Sequence, residues 1–450
     1  MRKGHTYVKI VCGAEELTHF GGALLLQRFF HRLGLRTLLT HGVQAHWRNT
    51  RYSVGDLVLA VIYPIILGLG RVETASWMRH NGVFQYLSGL DRYPEPTVLR
   101  RFLSRLGQPG ALRMFEALHD RLRLGFLGKR SSVTFDLDST VLTVYGRQAG
   151  AKVGFNPRKP GRSSYLSEVC VEGRTHDCWV ARLRPGNAHV LQDVQAMLEH
   201  AFGKRPSGVR TLRVRGDGAF YDGSLLSYLE AWQAGYAIVA PLSGPLVNRL
   251  GNLRYKAHRG KVETGELTYA ASGWERPRRF IVVRRPVPLE PSWQLTLFQM
   301  EGFAYRALVT NLDLEPLNVW RFYNDRAHIE QAIREWKHGW SLGQLPRRDA
   351  AANAAWFHLV MFAFNLLNWF KRTCVAGKLG KATIPTLRQR LLNIPAALVR
   401  PQGQPLLKLP AGYPYAEQFA ATLERTRHFR VPRLGRPKVA PWFTQGLDVR

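Results

Sequence analysis

The sequence predicts an α/β protein: a mixed sheet-and-helix core, interrupted by a β-rich insertion and preceded by a helical N-terminal region. Three observations carry this. Up to about residue 128, apolar residues recur at helical spacing between Gly and Pro breaks. From Ser131 the period changes, and SSVTFDLDSTVLTVYG alternates apolar and polar residues with β-branched enrichment. Strand-like and helix-like runs then alternate, and a stretch holding RYKAHRGKVETGELTYAA, RRFIVVRR and SWQLTLF reads as strands alone.

The chain has 450 residues, 45% of them hydrophobic and 11% aromatic, enough for a large core and more than one domain. Its formal net charge is +32, far beyond what solubility requires, and it points to a polyanionic partner. Nucleic acid fits better than a membrane surface. The basic residues are spread along the chain, and the longest apolar runs, Leu57 to Leu69 and Ala354 to Phe370, fall short of the roughly 20 residues that span a bilayer. Cys12, Cys170, Cys178 and Cys374 show neither zinc-site nor disulfide-framework spacing, which suits a reduced, cytoplasmic setting. The N-terminus lacks the continuous apolar segment of a secretion signal.

In the N-terminal region, helices are expected at Glu15–Leu33, Val54–Leu69, Val72–Arg79, Thr97–Leu106 and Gly110–Arg123. In the fourth, Pro94 and Pro96 break the chain, Leu99, Phe102, Leu103 and Leu106 form an apolar face, and Arg100 and Arg105 point elsewhere. Such a charged face is ordinarily solvated; it also suits a helix lying on DNA, so Arg100 and Arg105 are candidate DNA contacts.

The alternating stretch from Ser131 reads as a strand, a brief turn and a second strand, and it holds Asp136 and Asp138. If the strand is continuous, both carboxylates share one side, and spacing alone does not choose between them. Capping a turn is the ordinary alternative. Next comes a Gly- and Pro-rich loop whose Arg147, Lys152, Arg158, Lys159 and Arg162 suit phosphate neutralisation as well as plain solvation. Strands follow near Tyr165–Val171 and Cys178–Leu183, then a helix from about Val190 to Phe202. TLRVRGDGAF reads as a buried strand ending at Asp217, with glycines on both sides that leave its carboxylate accessible. Asp222 is the better N-cap for the helix expected at Gly223–Gln233. A strand at Tyr236–Leu242 leads into the insertion, whose Trp274 and Trp293 read more readily as core than as ligand contacts.

Tyr323 to Lys337, YNDRAHIEQAIREWK, is expected to be one helix. At about 100° per residue it puts Tyr323, Arg326, Glu330 and Lys337 on one stripe, opposite Ile329, Ile333 and Trp336. An Arg–Glu pair four residues apart on a helix is usually solvated decoration. Beyond it, Ala350–Arg372 reads as a long buried helix packed on the preceding one, followed by a short helix to Leu392, a strand pair at Ile394–Val399 and Pro405–Leu409, and a basic tail from Arg425 to Lys438.

The spacing Y-x2-R-x3-E-x6-K matches at all four positions the YREK signature of DDE transposases of bacterial insertion sequences. Between Ser131 and Arg372 the chain resembles most nearly the insertion-sequence family numbered 1380, within the broader insertion-sequence family 4 type group. The resemblance implies an RNase H-like catalytic core in which Asp138, followed by small hydroxyl residues, Asp217 and Glu330 are catalytic and bind two Mg²⁺ ions, which Mn²⁺ can replace. Asp136 is then a supporting residue behind them. Tyr323, Arg326 and Lys337 contact the DNA backbone, as the basic loop after Asp138 does. The implied segments are residues 1–128, helical and DNA-binding; 129–242 and 313–375, the core; 243–312, the β-rich insertion; and 376–450, a C-terminal region for DNA or subunit contacts. The implied partners are double-stranded DNA, as element ends and target, and a second copy of the chain in the synaptic complex, with no membrane and no small-molecule substrate. The implied reaction is cleavage and strand transfer at terminal inverted repeats, on the bacterial nucleoid. A nuclease of the same fold that does not rejoin DNA, or a domesticated DNA-binding protein without activity, are the alternatives.

Overall fold

The change of period at Ser131 marks the start of one 12-residue strand, not the two strands and turn expected from the alternation. The computed structural model describes residues 13–45, 51–287, 298–300 and 302–432. They form two compact units that interleave along the chain. The first takes in the chain up to Phe115, Gly339–Pro346 and Ala351–Val431; the second takes in Glu116–His338 and Arg347–Ala350.

The first elements among the described residues are a short strand, β1 (Leu17–Thr18), and helix α1 (Ala23–Arg32). The helix expected from Glu15 therefore starts eight residues late. Gly21 and Gly22 donate their amides to the carbonyls of Ile394 and Leu392, at 2.9 and 3.0 Å. A Cβ on Gly22 would sit 2.1 Å from the Leu391 carbonyl oxygen, so this approach requires glycine. Helices α2 (Leu35–Gly42) and α3 (Val54–Leu67) follow. α3 starts at a capping box, Ser53 Oγ accepting from the Asp56 amide at 3.1 Å and Asp56 accepting from the Ser53 amide at 3.0 Å. Next come α4 (Ala75–Arg79), α5 (Gly82–Ser88), α6 (Pro96–Leu106) and α7 (Pro109–Leu127). The sequence reading left α5 out, although Asn81 caps it by accepting from the Phe84 amide at 2.8 Å.

The second unit is built on an 11-stranded mixed sheet. Its strands and helices in chain order are β2 (Ser132–Thr143), β3 (Lys152–Val153), β4 (Ser163–Glu172), β5 (Cys178–Pro185), α8 (Val194–Gly203), β6 (Thr211–Gly216), α9 (Gly223–Ala231) and β7 (Gly235–Ala240). Then follow α10 (Gly244–Leu250), β8 (Lys256–His258), β9 (Val262–Tyr269), β10 (Arg278–Pro286), β11 (Phe298–Met300), β12 (Phe303–Thr310), α11 (Pro316–Asn324) and α12 (Ala327–His338). Across the sheet the order is β3-β4-β2-β6-β7-β12-β10-β9-β8, with β5 on β4 and β11 on β12. β2, β6 and β7 run parallel, joined through α8 and α9, while β4 is antiparallel to β2. The insertion is thus no separate body but the other half of one sheet, because β12 returns to pair with β7.

Both faces of this sheet are covered, which is why YAIVA in β7 reads as a continuous apolar run. Tyr236, Ile238 and Ala240 face a core shared with α8 and α9, including Leu198, Phe202 and Leu226. Ala237 faces the opposite core with Val319, Trp320 and Tyr323 of α11.

The chain then returns to the first unit. α13 (Ala350–Thr373) is long and apolar enough to cross a membrane, yet most of it is buried inside the protein. Its Phe362 and Phe370 pack edge-on or tilted against Phe115 and Phe29. A short α14 (Ile384–Leu387) runs into a π turn, and β13 (Ala396–Val399) pairs with β1 on one side and β14 (Leu406–Lys408) on the other in a three-stranded sheet. α15 (Ala416–Arg427) takes the first three residues of the stretch read as a basic tail; from residue 433 onward that stretch lies outside the described residues.

Candidate active site

Asp138 comes to the site on β2 and Asp217 directly after β6. These strands are parallel neighbours, with Asp136 registered against Arg215. Because side chains alternate along a strand, Asp136 and Asp138 lie on one side of continuous β2, and Arg215 and Asp217 stand in the same relation on the next chain segment. The result is two layers. In the lower one Asp136 is fully buried and accepts from Arg215 Nε and Nη2 at 2.5 and 2.8 Å, while Arg215 Nη1 donates to the Phe322 carbonyl at 2.6 Å. His328 Nε2 stands 3.0 Å from Asp136 Oδ2, out of hydrogen-bond alignment. Its ring stacks on His176 with centroids 3.9 Å apart.

The upper layer holds Asp138, Asp217, Arg326, Glu330 and Lys337. The stretch expected to be one helix is two, α11 and α12, broken at Asp325 and Arg326. At the break the Arg326 amide donates three residues back, to Tyr323. The Arg326 side chain turns inward, donating from Nη2 to the Leu137 carbonyl at 2.7 Å and pairing with Asp138 Oδ2 at 2.9 Å. It also stands 3.8 Å from Glu330, whose side chain is 68% exposed. The guanidinium therefore lies between two of the three carboxylates.

Electrostatics binds the layer together. Burial pushes the Asp138 carboxyl up to about 6; Arg326 opposes this, and the charges of Asp217 and Glu330 reinforce it. For Arg326, burial works against its charge, but Asp138 and its neighbours outweigh burial and raise it. Burial and then Arg158 pull Lys337 down. Burial raises Tyr323, which stacks on Trp320 at 6.2 Å.

The site opens into a cleft of about 780 Å³ whose walls include Ser139, Thr140, Asp217, Lys337, Phe155 and Arg158. Arg147, Lys152, Lys159 and Arg162 lie exposed on the same loop as Arg158. On α6 of the first unit, Arg105 is exposed and Arg100 is ion-paired with Glu73. Trp274 packs against Tyr221 and Phe280 with Arg278 over its ring, a core role; Trp293 lies outside the described residues. Asp222 caps α9, accepting from Leu225 at 2.9 Å, whereas Asp217 accepts only from Ala219 of a short 3-10 turn, at 3.1 Å.

Among the described residues no three His, Cys, Asp or Glu side chains stand close enough together to hold a metal ion. The donor chemistry nevertheless fits a hard divalent cation: the three groups offer carboxylate oxygens only, Asp138 is raised first by burial and further by the charges of Asp217 and Glu330, and Glu330 is 68% exposed. Arg215 and His328 went unread in the sequence. The signal was present in RVRGD, where Arg215 precedes Asp217 by two as Asp136 precedes Asp138, but only the β2–β6 register joins the two pairs.

The chain belongs to the family described as transposase DDE domain group 1, whose model matches residues 2–431, and it is a DNA transposase. Among solved structures it is similar to a piggyBac transposase synaptic complex with hairpin DNA, at 11% identity and a TM-score of 0.38 over 76% of this chain and 75% of that one. No curated protein matches it.

Proposed function

We propose that the chain cleaves and rejoins DNA at the terminal inverted repeats of its own insertion sequence, with Asp138, Asp217 and Glu330 as the catalytic carboxylates of an RNase H-like core. The observation that carries this reading is the pair of aspartates at adjoining positions of parallel β2 and β6, with Arg326 reaching from Asp138 toward Glu330. The strand order β5-β4-β2-β6-β7, with β4 alone antiparallel to β2 and crossovers through α8 and α9, supports the RNase H-like assignment. Asp138, Asp217 and Glu330 are the residues to hold two Mg²⁺ or Mn²⁺ ions. Bound metal supplies activation of the attacking water or 3′-hydroxyl and stabilisation of the leaving oxygen.

The protein's own groups position the DNA. Lys337 and Arg158, which both line the cleft, hold phosphates beside the scissile one, and Arg326 favours the ionised form of Asp138 against the burial that raises it. Tyr323 donates its hydroxyl to the same backbone. Asp136, Arg215 and His328 act beneath, fixing β2, β6 and α12 relative to one another. The exposed cations of the loop after β2 extend the grip on double-stranded DNA; Arg100 and Arg105 on α6 of the first unit are separate DNA contacts, and two copies act together at paired ends. The setting is the bacterial nucleoid.

The test is purified protein with Mg²⁺ and duplexes carrying the DNA that borders the gene. Nicking plus joined products is expected from wild type, with neither from Glu330→Gln at unchanged DNA affinity. Strand cleavage by that variant refutes the assignment, and nicking by wild type without joining favours the nuclease reading.

A further inference from the structure

His189 lines the catalytic cleft together with Asp217, Lys337 and Arg158, and it sits exposed on the loop of residues 186–193 that joins β5 to α8. An exposed loop histidine is ordinarily mobile and without consequence. This loop is fastened at both ends. At its start the Gly186 amide donates to the Ser164 carbonyl of β4 at 2.9 Å, and Gly154 of the basic loop comes so close that a Cβ there would sit 1.9 Å from the Gly186 carbonyl oxygen. At its end Arg184 of β5 donates from Nη2 to Gln192 Oε1 at 3.0 Å and pairs with Asp193 at 2.9 Å, while Arg182 Nη1 donates to the Asp193 carbonyl at 3.2 Å. Arg184 Nη1 is in turn held by the buried carboxylate of Glu168 at 3.2 Å. Between the two ends the Gln192 amide closes a turn on the His189 carbonyl at 3.1 Å, so the backbone under His189 is fixed.

The ring is oriented as well. Its Nδ1 accepts the Leu191 amide at 3.3 Å. A backbone amide can only donate, so Nδ1 keeps its lone pair and the neutral imidazole carries its proton on Nε2. That tautomer decides which chemistry the neutral ring can do. A general base or a metal ligand needs a lone pair turned to the cleft, and the one lone pair is turned to Leu191. Acting as a general acid, the neutral ring would leave an imidazolate behind. A hydrogen-bond donor without charge is what remains. Arg158 and Lys337 in the same cleft draw a phosphodiester, and its oxygens are the acceptors such a donor fits.

We infer that His189 is a further DNA contact of the catalytic cleft, a neutral donor whose Nε2–H bonds one phosphate oxygen and positions the strand without adding charge. This rests on the DNA-cleaving reading of the site. The full chain would be titrated, in chelator so that nothing is cut, with a fluorescent duplex of the DNA bordering the gene at several salt concentrations. His189→Ala is expected to bind about tenfold more weakly, the worth of one hydrogen bond to a charged group. The slope of log affinity against log salt stays as in wild type, because a neutral donor displaces no counterion. The loss is the same on a duplex of scrambled sequence, since a phosphate carries no sequence information. Two further variants separate the donor from the loop. His189→Gln places an amide N–H where Nε2 stood and returns to within about twofold of wild type. His189→Asn keeps an acceptor for the Leu191 amide but does not reach the Nε2 position, so it binds as weakly as His189→Ala. Wild-type affinity in His189→Asn or His189→Ala, a salt slope reduced by about one, or a loss confined to the bordering sequence overturns the inference while leaving cleavage by the carboxylates standing. Absence of any DNA binding by wild type would instead sink the functional reading and the inference with it.

Discussion

Replacing Arg215 with Met should cost more stability than almost any other single change in the second unit, because it strands a buried carboxylate. Arg215 is 3% exposed and Asp136 is fully buried, and the arginine makes two hydrogen bonds to the carboxylate and a third to the Phe322 carbonyl. Removing one partner of such a pair costs about 3–5 kcal/mol, most of it the uncompensated charge. The lower end of that range, about 3 kcal/mol, is the expected loss. For a unit of this size about 3 kcal/mol lowers the melting temperature by roughly 6 to 12 °C. The double variant Asp136→Leu/Arg215→Met removes both charges and should recover at least about 2 kcal/mol of the loss. Urea unfolding followed by tryptophan fluorescence measures the double variant and the two single changes, Arg215→Met and Asp136→Leu, against wild type. A double variant that loses as much as the sum of its two single changes would refute the reasoning, since the ion pair would then not be what the two residues share.

Other consequences follow from the same geometry. Burial raises the Asp138 carboxyl to about 6, above its ordinary value, so the protonated form is favoured by folding; that stabilisation is complete below about pH 4 and lost as pH rises through about 6. Under metal-free conditions the stability of wild type relative to Asp138→Asn should therefore fall between about pH 4 and about pH 6, and a difference that stays flat on a pH series of thermal melts contradicts this. Lys337→Ala and Arg158→Ala should each weaken duplex binding across all sequences and reduce the slope of log affinity against log salt by about one, read from titrations at several ionic strengths. Gly154→Ala forces the basic loop off Gly186 and should slow strand cleavage while leaving the melting temperature within about 2 °C, since the contact lies at a surface loop and not in the core.

What could be read along the chain was what local chemistry decides. Asp217 stands out because glycines flank a carboxylate at the end of an apolar strand, and α3 and α13 because their apolar runs have helical length. What could not be read was decided at a distance. Nothing in YNDRAHIEQAIREWK breaks a helix locally: it contains neither Pro nor Gly, and the break at Asp325 and Arg326 accompanies the arginine side chain's turn toward the Leu137 carbonyl, far away in sequence. The late start of α1 follows from amides donated to Leu392 and Ile394. The strands of the insertion alternate like those of the core, and only the β12–β7 register shows which strand of the core they extend. Arg215 and His328 escaped for the same reason as the helix break, since a buried ion pair across two strands is written in register and not in spacing.

The central claim is that Asp138, Asp217 and Glu330 act as one site. An excision assay in cells addresses it most directly, using a marker flanked by the gene's own bordering DNA and four versions of the chain: wild type, Asp138→Asn, Asp217→Asn and Glu330→Gln. Excision by wild type alone, with all three variants present at wild-type levels, is the predicted result. Excision by any one of the variants would remove that residue from the site and contradict the account.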